Sequence, residues 1–125
     1  MVDKRKKNKS LGKREEYMKE FKIKEENIKE LISWQGADGC MATDKIVVDG
    51  EKVGYMYREK PTNESDSGWR FFDGNETEEY LNNADNIGIY KLNTICNYDE
   101  AIIPYLNMKI GTKLSRNSEN KFVEE

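Results

Sequence analysis

The centre of the sequence reads KVGYMYREKPTNESDSGWRFFDG from Lys52 to Gly74. Aromatic and β-branched residues cluster near both ends of this stretch, and the polar run 60–67 between them is typical of a loop. We therefore predict one strand over 52–57 and another over 69–72.

Side chains alternate along a strand, so Trp69 and Phe71 should face one side of the sheet while Arg70 and Phe72 face the other. Gly54 lies inside the earlier strand, where a glycine indicates a bulge or a close approach by another segment. Only 36% of the chain is apolar. The large aromatic side chains are therefore expected to supply much of the core.

Turn signals divide the rest of the chain into short elements. The dipeptide Asp49-Gly50 follows the β-rich run 45–48 and predicts a β-hairpin between that run and 52–57. Thr77 and Asp99 are candidate N-caps of two short helices. Further short β segments are predicted at 40–43, 87–92, 113–114 and 122–123.

Residues 15–33 carry apolar side chains at helical spacing, interrupted at 22–27, and predict two short helices that end near Gly36. Together the patterns indicate an α+β fold with a mostly antiparallel sheet and short helices, the N-terminal helical segment being packed on one face. Residues 15–38 and 39–125 should form a single globular domain. The expected organisation is a basic flexible arm at 1–14, the helical segment at 15–38 and the α+β body at 39–125.

The composition restricts the chemistry available to this chain. It contains no histidine and two cysteines, Cys40 and Cys96. Without an imidazole, the Ser-His and Cys-His nucleophile pairs cannot form, and a closed zinc site lacks ligands. We therefore expect a protein that is not an enzyme and that uses no metal and no cofactor.

Charge is unevenly spread along the chain. Residues 1–14 carry seven basic side chains and one acidic one, a net charge of +6, whereas the remainder carries 14 basic and 23 acidic ones, a net charge of −9. An acidic body repels nucleic acid and attracts basic surfaces, so we expect a basic protein partner and no nucleic acid. No run of about 20 apolar residues suits a membrane span, and no secretory signal is evident. The expected location is the cytoplasm, without membrane contact.

The aromatic and basic residues around Arg58 and Arg70 have two interpretations. They can form a stacking platform for nucleic-acid bases. They can instead be core aromatics, with one arginine paired to Glu59 or Asp66. The acidic body favours the second interpretation.

Two sets of polar residues are candidate sites. One is an acidic stretch, either a solvated face or a surface that attracts a basic partner. The other is a polar pocket between strands that could take a small ligand or an anion. The acidic stretch comprises Asp73, Glu76, Glu78, Glu79 and Asp85. The pocket residues are Arg58, Arg70, Asn93 and Asn97.

Several ordered segments also carry a resemblance to a known family. They are 53–61, 66–74, 86–90, 92–99 and 102–106. From about Gly39 to Val123, the chain resembles the bacterial domain-of-unknown-function family 2185, also described as immunity protein thirty-three-like. The resemblance implies that the protein binds a cognate toxin and blocks it. The family has no established catalytic residues, so none is assigned here. A small-ligand or anion-binding regulatory domain is the alternative.

Overall fold

The computed structural model describes residues 19–125, and the predicted basic arm at 1–14 lies outside this part of the chain. The strands are β1 (Gly39–Thr43), β2 (Tyr55–Arg58), β3 (Asp66–Phe72), β4 (Ile87–Lys91), β5 (Lys113–Arg116) and β6 (Phe122–Glu124). They form one six-stranded sheet in the order β4-β1-β3-β2-β5-β6. β1 and β3 are parallel, and the other neighbours are antiparallel. The predicted α+β fold with a mostly antiparallel sheet is confirmed.

Short helices connect these strands. The Thr77 hydroxyl accepts a hydrogen bond from the Tyr80 N–H at 3.1 Å, and the Asp99 carboxylate accepts one from the Ala101 N–H at 3.1 Å. Both predicted N-caps are therefore confirmed. Within residues 19–125, no helix has the length and apolar character that a membrane crossing requires. The α-helices are α1 (Asp44–Val47), α2 (Glu78–Leu81) and α3 (Leu92–Tyr98), and the 3-10 segments are Glu25–Asn27, Ala84–Asn86 and Glu100–Tyr105.

The hydrophobic core lies against one face of the sheet. Ala42, Phe71 and Met56 lie side by side across β1, β3 and β2, and each is almost fully buried. Trp69 belongs to the same core as Phe71, as the predicted alternation requires. Burying a side chain of the size of Met56 or Phe71 contributes about 1.5–3 kcal/mol, so this layer is a main source of stability. Helices and loops complete the core with Ile46, Val47, Leu92, Ile95, Ile102 and Leu106.

Residues 19–38 form an extended strap over α3 where two helices were predicted. Part of the predicted helical segment, 15–18, lies outside the described residues. In 19–38 the helical content is the single 3-10 turn Glu25–Asn27, so the helix prediction is wrong there. The apolar side chains still pack against the core, but the strap's backbone bonds to other segments. The packed residues of the strap are Ile23, Leu31, Ile32 and Trp34.

Two asparagines of α3 hold the strap. The Asn93 Oδ1 accepts from the N–H groups of Leu31 at 2.7 Å and Ile32 at 3.2 Å, and its amide donates to the Lys29 carbonyl at 2.8 Å. One turn later, Asn97 accepts from the Lys29 N–H at 2.9 Å and donates to the Lys29 carbonyl at 2.9 Å. These bonds replace the internal ones that a helix would have made.

The hairpin predicted at Asp49-Gly50 is wrong, because the preceding residues form helix α1. Gly50 has a φ of +81°, and its N–H donates to the Ile46 carbonyl at 3.0 Å. A glycine in the left-handed region is a common helix terminator. The same dipeptide that suits a hairpin turn therefore ends a helix here.

The close approach predicted at Gly54 is confirmed. Its N–H donates to the Phe72 carbonyl at 2.9 Å, and its carbonyl accepts from the Arg116 N–H at 2.9 Å. A Cβ at this position would lie 2.1 Å from the carbonyl oxygen of Asp73. The contact joins the segment before β2 to the end of β3, and it leaves no room for a side chain.

We expect Asn93→Ala to lower the free energy of unfolding by about 2 kcal/mol, because the strap N–H groups of Leu31 and Ile32 lose their acceptor. Native-state hydrogen exchange should be faster at these two amides than in the wild type. Asn107→Ala is the control, since Asn107 is exposed and its side chain makes no hydrogen bond among the described residues. Unchanged protection of the two amides in Asn93→Ala would contradict the role given to Asn93.

Gly54→Ala should destabilise the protein by about 3 kcal/mol, because the added methyl group collides with backbone that cannot move independently. Gly36→Ala is a matched control, since nothing lies within 4 Å of its Cβ position and only its φ of +94° opposes the change. That control should cost about 1 kcal/mol. Chemical denaturation measures both values, and equal losses would show that the Gly54 contact is not tight.

Candidate partner-binding face

The side chains that alternate with the core residues form a second face of the sheet. Met41, Arg70 and Tyr57 lie in one row across β1, β3 and β2, and Phe72 and Tyr55 lie in the next row. We name these five residues the open face. Arg70 is buried, and the other four are half-buried.

Three aromatic rings of the open face contact one another. The ring centroids of Tyr57 and Phe72 are 5.7 Å apart with an interplanar angle of 14°, and Tyr55 lies 5.9 Å from Tyr57 and 5.8 Å from Phe72. Each ring therefore restrains the other two. Binding to such a surface costs little side-chain entropy.

A cleft of about 830 Å³ lies over these rings. Beyond it, the apolar surface continues at Ile89, which is paired with Met41 and is 72% exposed. Contiguous exposed apolar surface of this kind often marks an interaction site. Residues that line the cleft around the open face include Leu81, Ile87, Asp73, Asn75, Glu76 and Arg116.

Arg70 lines the cleft and is bound there by two carboxylates of the same chain. Its guanidinium donates to the two Asp66 oxygens at 2.9 and 2.7 Å and to Glu59 Oε2 at 2.7 Å. Hydrogen bonding from Arg70, against the opposing effect of burial, holds the pKa of Asp66 well below its ordinary value of 3.8. The expected pairing of an arginine with Glu59 or Asp66 is thus confirmed for Arg70.

The turn after β3 places two carboxylates at the edge of the cleft. Glu76 accepts hydrogen bonds from the Thr43 hydroxyl at 2.6 Å and from the N–H groups of Asp73 at 2.8 Å and Gly74 at 3.0 Å. Burial opposes its ionisation, but these bonds outweigh burial and lower the pKa of Glu76. Burial raises the pKa of Asp73, and the nearby charge of Glu76 adds to this rise. The two groups therefore form a like-charged pair.

The five acidic residues predicted as a partner surface do not all lie at one spot. Asp73 and Glu76 line the cleft. Glu78 and Glu79 are exposed in the first turn of α2, and Asp85 is exposed in the 3-10 segment that precedes β4. Glu76 also closes the turn after β3, which the sequence did not suggest.

The predicted polar pocket is not formed, because its four residues do not meet. Arg58 lies beside Trp69 on the core side of the sheet and donates to the Met108 carbonyl at 2.8 Å. Arg70 points to the opposite face, where it binds Asp66. Asn93 and Asn97 are both engaged by the strap.

The alternation of residues in β2 also indicates which side chains belong to the open face. In β2, Tyr55 and Tyr57 share one side while the fully buried Met56 takes the other. Their alternation with a core residue places both tyrosines on the outer side. The interpretation of all these aromatics as core therefore holds for Trp69 and Phe71 but not for Phe72 and the two tyrosines.

Within residues 19–125, no group of three or more His, Cys, Asp or Glu side chains is placed to hold a metal ion. Cys40 and Cys96 are both buried free thiols. Burial raises the pKa of the Cys40 thiol well above its ordinary range and raises the pKa of Cys96 to about 11. Thiols that keep their protons are poor nucleophiles, and both side chains act as small core residues.

We expect Asp66→Asn to lower the free energy of unfolding by about 3 kcal/mol near neutral pH, because it breaks the buried pair with Arg70. The pKa of Asp66 is lower in the folded protein than in the unfolded chain. Its stabilising contribution is therefore present above the ordinary pKa of 3.8 and is lost as the pH falls through the folded value.

The difference between wild type and Asp66→Asn should accordingly shrink as the pH is lowered from about 7 to about 2.5, as measured by urea unfolding. Asp85→Asn, at an exposed carboxylate, is the control and should change the unfolding free energy by less than about 0.5 kcal/mol at neutral pH. A difference for Asp66→Asn that stays constant across this range would show that the ion pair is not its cause.

Comparison with known proteins identifies the body of the chain. Residues 40–125 match the model of the Immunity protein Imm33 domain, and this match includes the whole open face. No curated protein and no solved structure matches the chain significantly. The strap at 19–38 precedes the matched region. Since the match covers most of the chain, the protein belongs to the Imm33 family of immunity proteins.

Proposed function

We propose that this chain is an immunity protein that neutralises a cognate bacterial toxin by binding it in the cytosol, without catalysis. The observation that carries the proposal is the Imm33 domain over residues 40–125. An immunity protein has to recognise its toxin, and the domain presents an ordered aromatic face with a polar edge. That combination is typical of protein interfaces.

Charge supports a basic protein partner. The net charge of −9 beyond residue 14 attracts basic surfaces and disfavours nucleic acid. The alternative of a small-ligand regulatory domain has less support, because Arg58 and Arg70 lie on opposite faces of the sheet and the neighbouring Asn93 and Asn97 are both bonded to the strap.

The acidic residues around the cleft fit this role in two ways. Glu78 and Glu79 are exposed and can steer a basic toxin towards the surface, as can Asp85. Asp73 and Glu76 lie closer to the open face and are less exposed. We assign all five to the partner surface, with the exposed three acting mainly on the rate of encounter.

The test uses the toxin encoded beside the gene for this chain, prepared as an inactive variant for binding and in its active form for growth assays. Isothermal titration calorimetry should show one-to-one binding, and co-expression should protect cells only while the chain is in stoichiometric amount. The absence of binding would refute the proposal. Protection by a small fraction of one equivalent, with chemical modification of the toxin, would show an enzyme instead.

The double reversal Glu78→Lys with Glu79→Lys should weaken toxin binding by about tenfold or more, mainly through slower association at low salt. The matched control reverses Glu25 and Glu26, another exposed consecutive pair, on the strap. That control carries the same total charge and should bind like the wild type. Equal weakening by both double variants would assign the effect to net charge rather than to this surface.

A further inference from the structure

We propose that the open face and its cleft are the surface on which the toxin docks, and that the docked segment carries a lysine or arginine among apolar side chains. This inference rests on the proposed immunity function and names the site and the chemistry of its partner. It differs from an interface centred on the exposed acids of α2.

The cleft has the size and the apolar lining that suit a protein segment. The cleft of about 830 Å³ is as large as cavities that enclose a drug-sized ligand, so it can take several side chains of a protein loop. Its floor is the contacting ring set of Tyr55, Tyr57 and Phe72, and its sides include Leu81 and Ile87. Aromatic residues are enriched in interface cores, where they bury large areas at little entropic cost.

The charged side chains that line the cleft are not balanced. Both cations that line it are occupied by the protein's own carboxylates: Arg70 by Asp66, and Arg116 by Asp99 at 2.9 Å. In contrast to these ion-paired arginines, the two acids at the edge of the cleft have no such partner. Neither Asp73 nor Glu76 has a basic side chain within 4 Å among residues 19–125. They also face each other as like charges.

A cation brought by the partner resolves this imbalance. A lysine or arginine at the edge of the cleft would sit beside two partly desolvated carboxylates, where an ion pair is stronger than on an open surface. The apolar neighbours of that cation on the toxin would cover the rings. An acidic or purely apolar segment would cover the half-buried pair and leave it only its own hydrogen bonds and the nearby charge of Lys45.

Charge also distinguishes the toxin from a second copy of this chain. A twofold dimer through the open face would bring the same surface of each copy together. Asp73 and Glu76 of one copy would then approach the same acids of the other. A basic partner avoids this repulsion.

The experiment measures the affinity of full-length variants for the same inactive toxin. Asn75→Arg places a positive charge at an exposed position that lines the cleft, so it should repel the partner's cation and weaken binding by about tenfold or more. Asn107→Arg makes the identical change at an exposed position outside the cleft and should bind like the wild type. Tyr55→Ala tests the aromatic floor and should also weaken binding by about tenfold.

Thermal unfolding of each variant accompanies the binding measurements. If Tyr55→Ala does not fold, the two arginine variants still test the docking site, because both substituted positions are exposed. One result would overturn the docking site and leave the immunity function intact. In that result, Asn75→Arg binds the toxin with wild-type affinity while the reversal of Glu78 and Glu79 abolishes binding. Failure of the wild type to bind the toxin would overturn both. A dimer seen by sedimentation and disrupted by Asn75→Arg would make the face a self-association surface instead.

Discussion

A buried guanidinium bound by two carboxylates fixes the geometry on which the sheet depends. Arg70 lies in β3 between its parallel neighbour β1 and its antiparallel neighbour β2. It joins Asp66, at the start of its own strand, to Glu59, just after β2. Asp66 also accepts from the Thr62 N–H at 2.8 Å and the Gly68 N–H at 2.9 Å. The loop between β2 and β3 therefore closes around one ion pair. The loss of either partner would leave a buried charge without a counter-ion.

The alternation of side chains around this ion pair gives the sheet one core face and one partly exposed face. The same strands that bury Met56 and Phe71 display Tyr57 and Phe72 on the opposite side. Helices α1 and α3 contribute to the core on one side of the sheet, whereas Leu81 of α2 only lines the edge of the cleft, so the second face stays partly open. The half-buried rings of Tyr55, Tyr57 and Phe72 pack on one another across that face.

Local pattern located the six strands of the sheet and the two N-caps, but it also predicted a strand at 45–48 and helices at 15–33 where other contacts decide the conformation. Asp49-Gly50 suits a hairpin and a helix end equally well, and the bonds of α1 select the second. The strap has helical spacing, yet its backbone is satisfied by side chains about 60–70 residues later in the sequence. The segment 92–98 contains poor helix formers, so α3 was not predicted. Its stability comes from packing and from the strap.

The candidate site could be predicted only in part, because it also depends on contacts that local sequence pattern does not show. Composition alone identified the acidic turn at 73–76, but which acids share a cleft depends on the turn's own hydrogen bonds. The four-residue pocket failed because strand parity separates its arginines. Arg58 has the same parity as the core residue Met56, whereas Arg70 has that of Phe72 on the other face. Only the pairing of β2 with β3 shows which parity is buried.

The asparagines of α3 recognise peptide groups of the strap and none of its side chains. They contact the backbone of Lys29, Leu31 and Ile32, so these hydrogen bonds require only that the three positions are not proline. Packing against the core still requires apolar side chains at Leu31 and Ile32, whereas exposed positions such as Lys29 are free of that requirement. This segment can accumulate substitutions on its outward side, and acquire new surface chemistry, while the underlying domain keeps its shape.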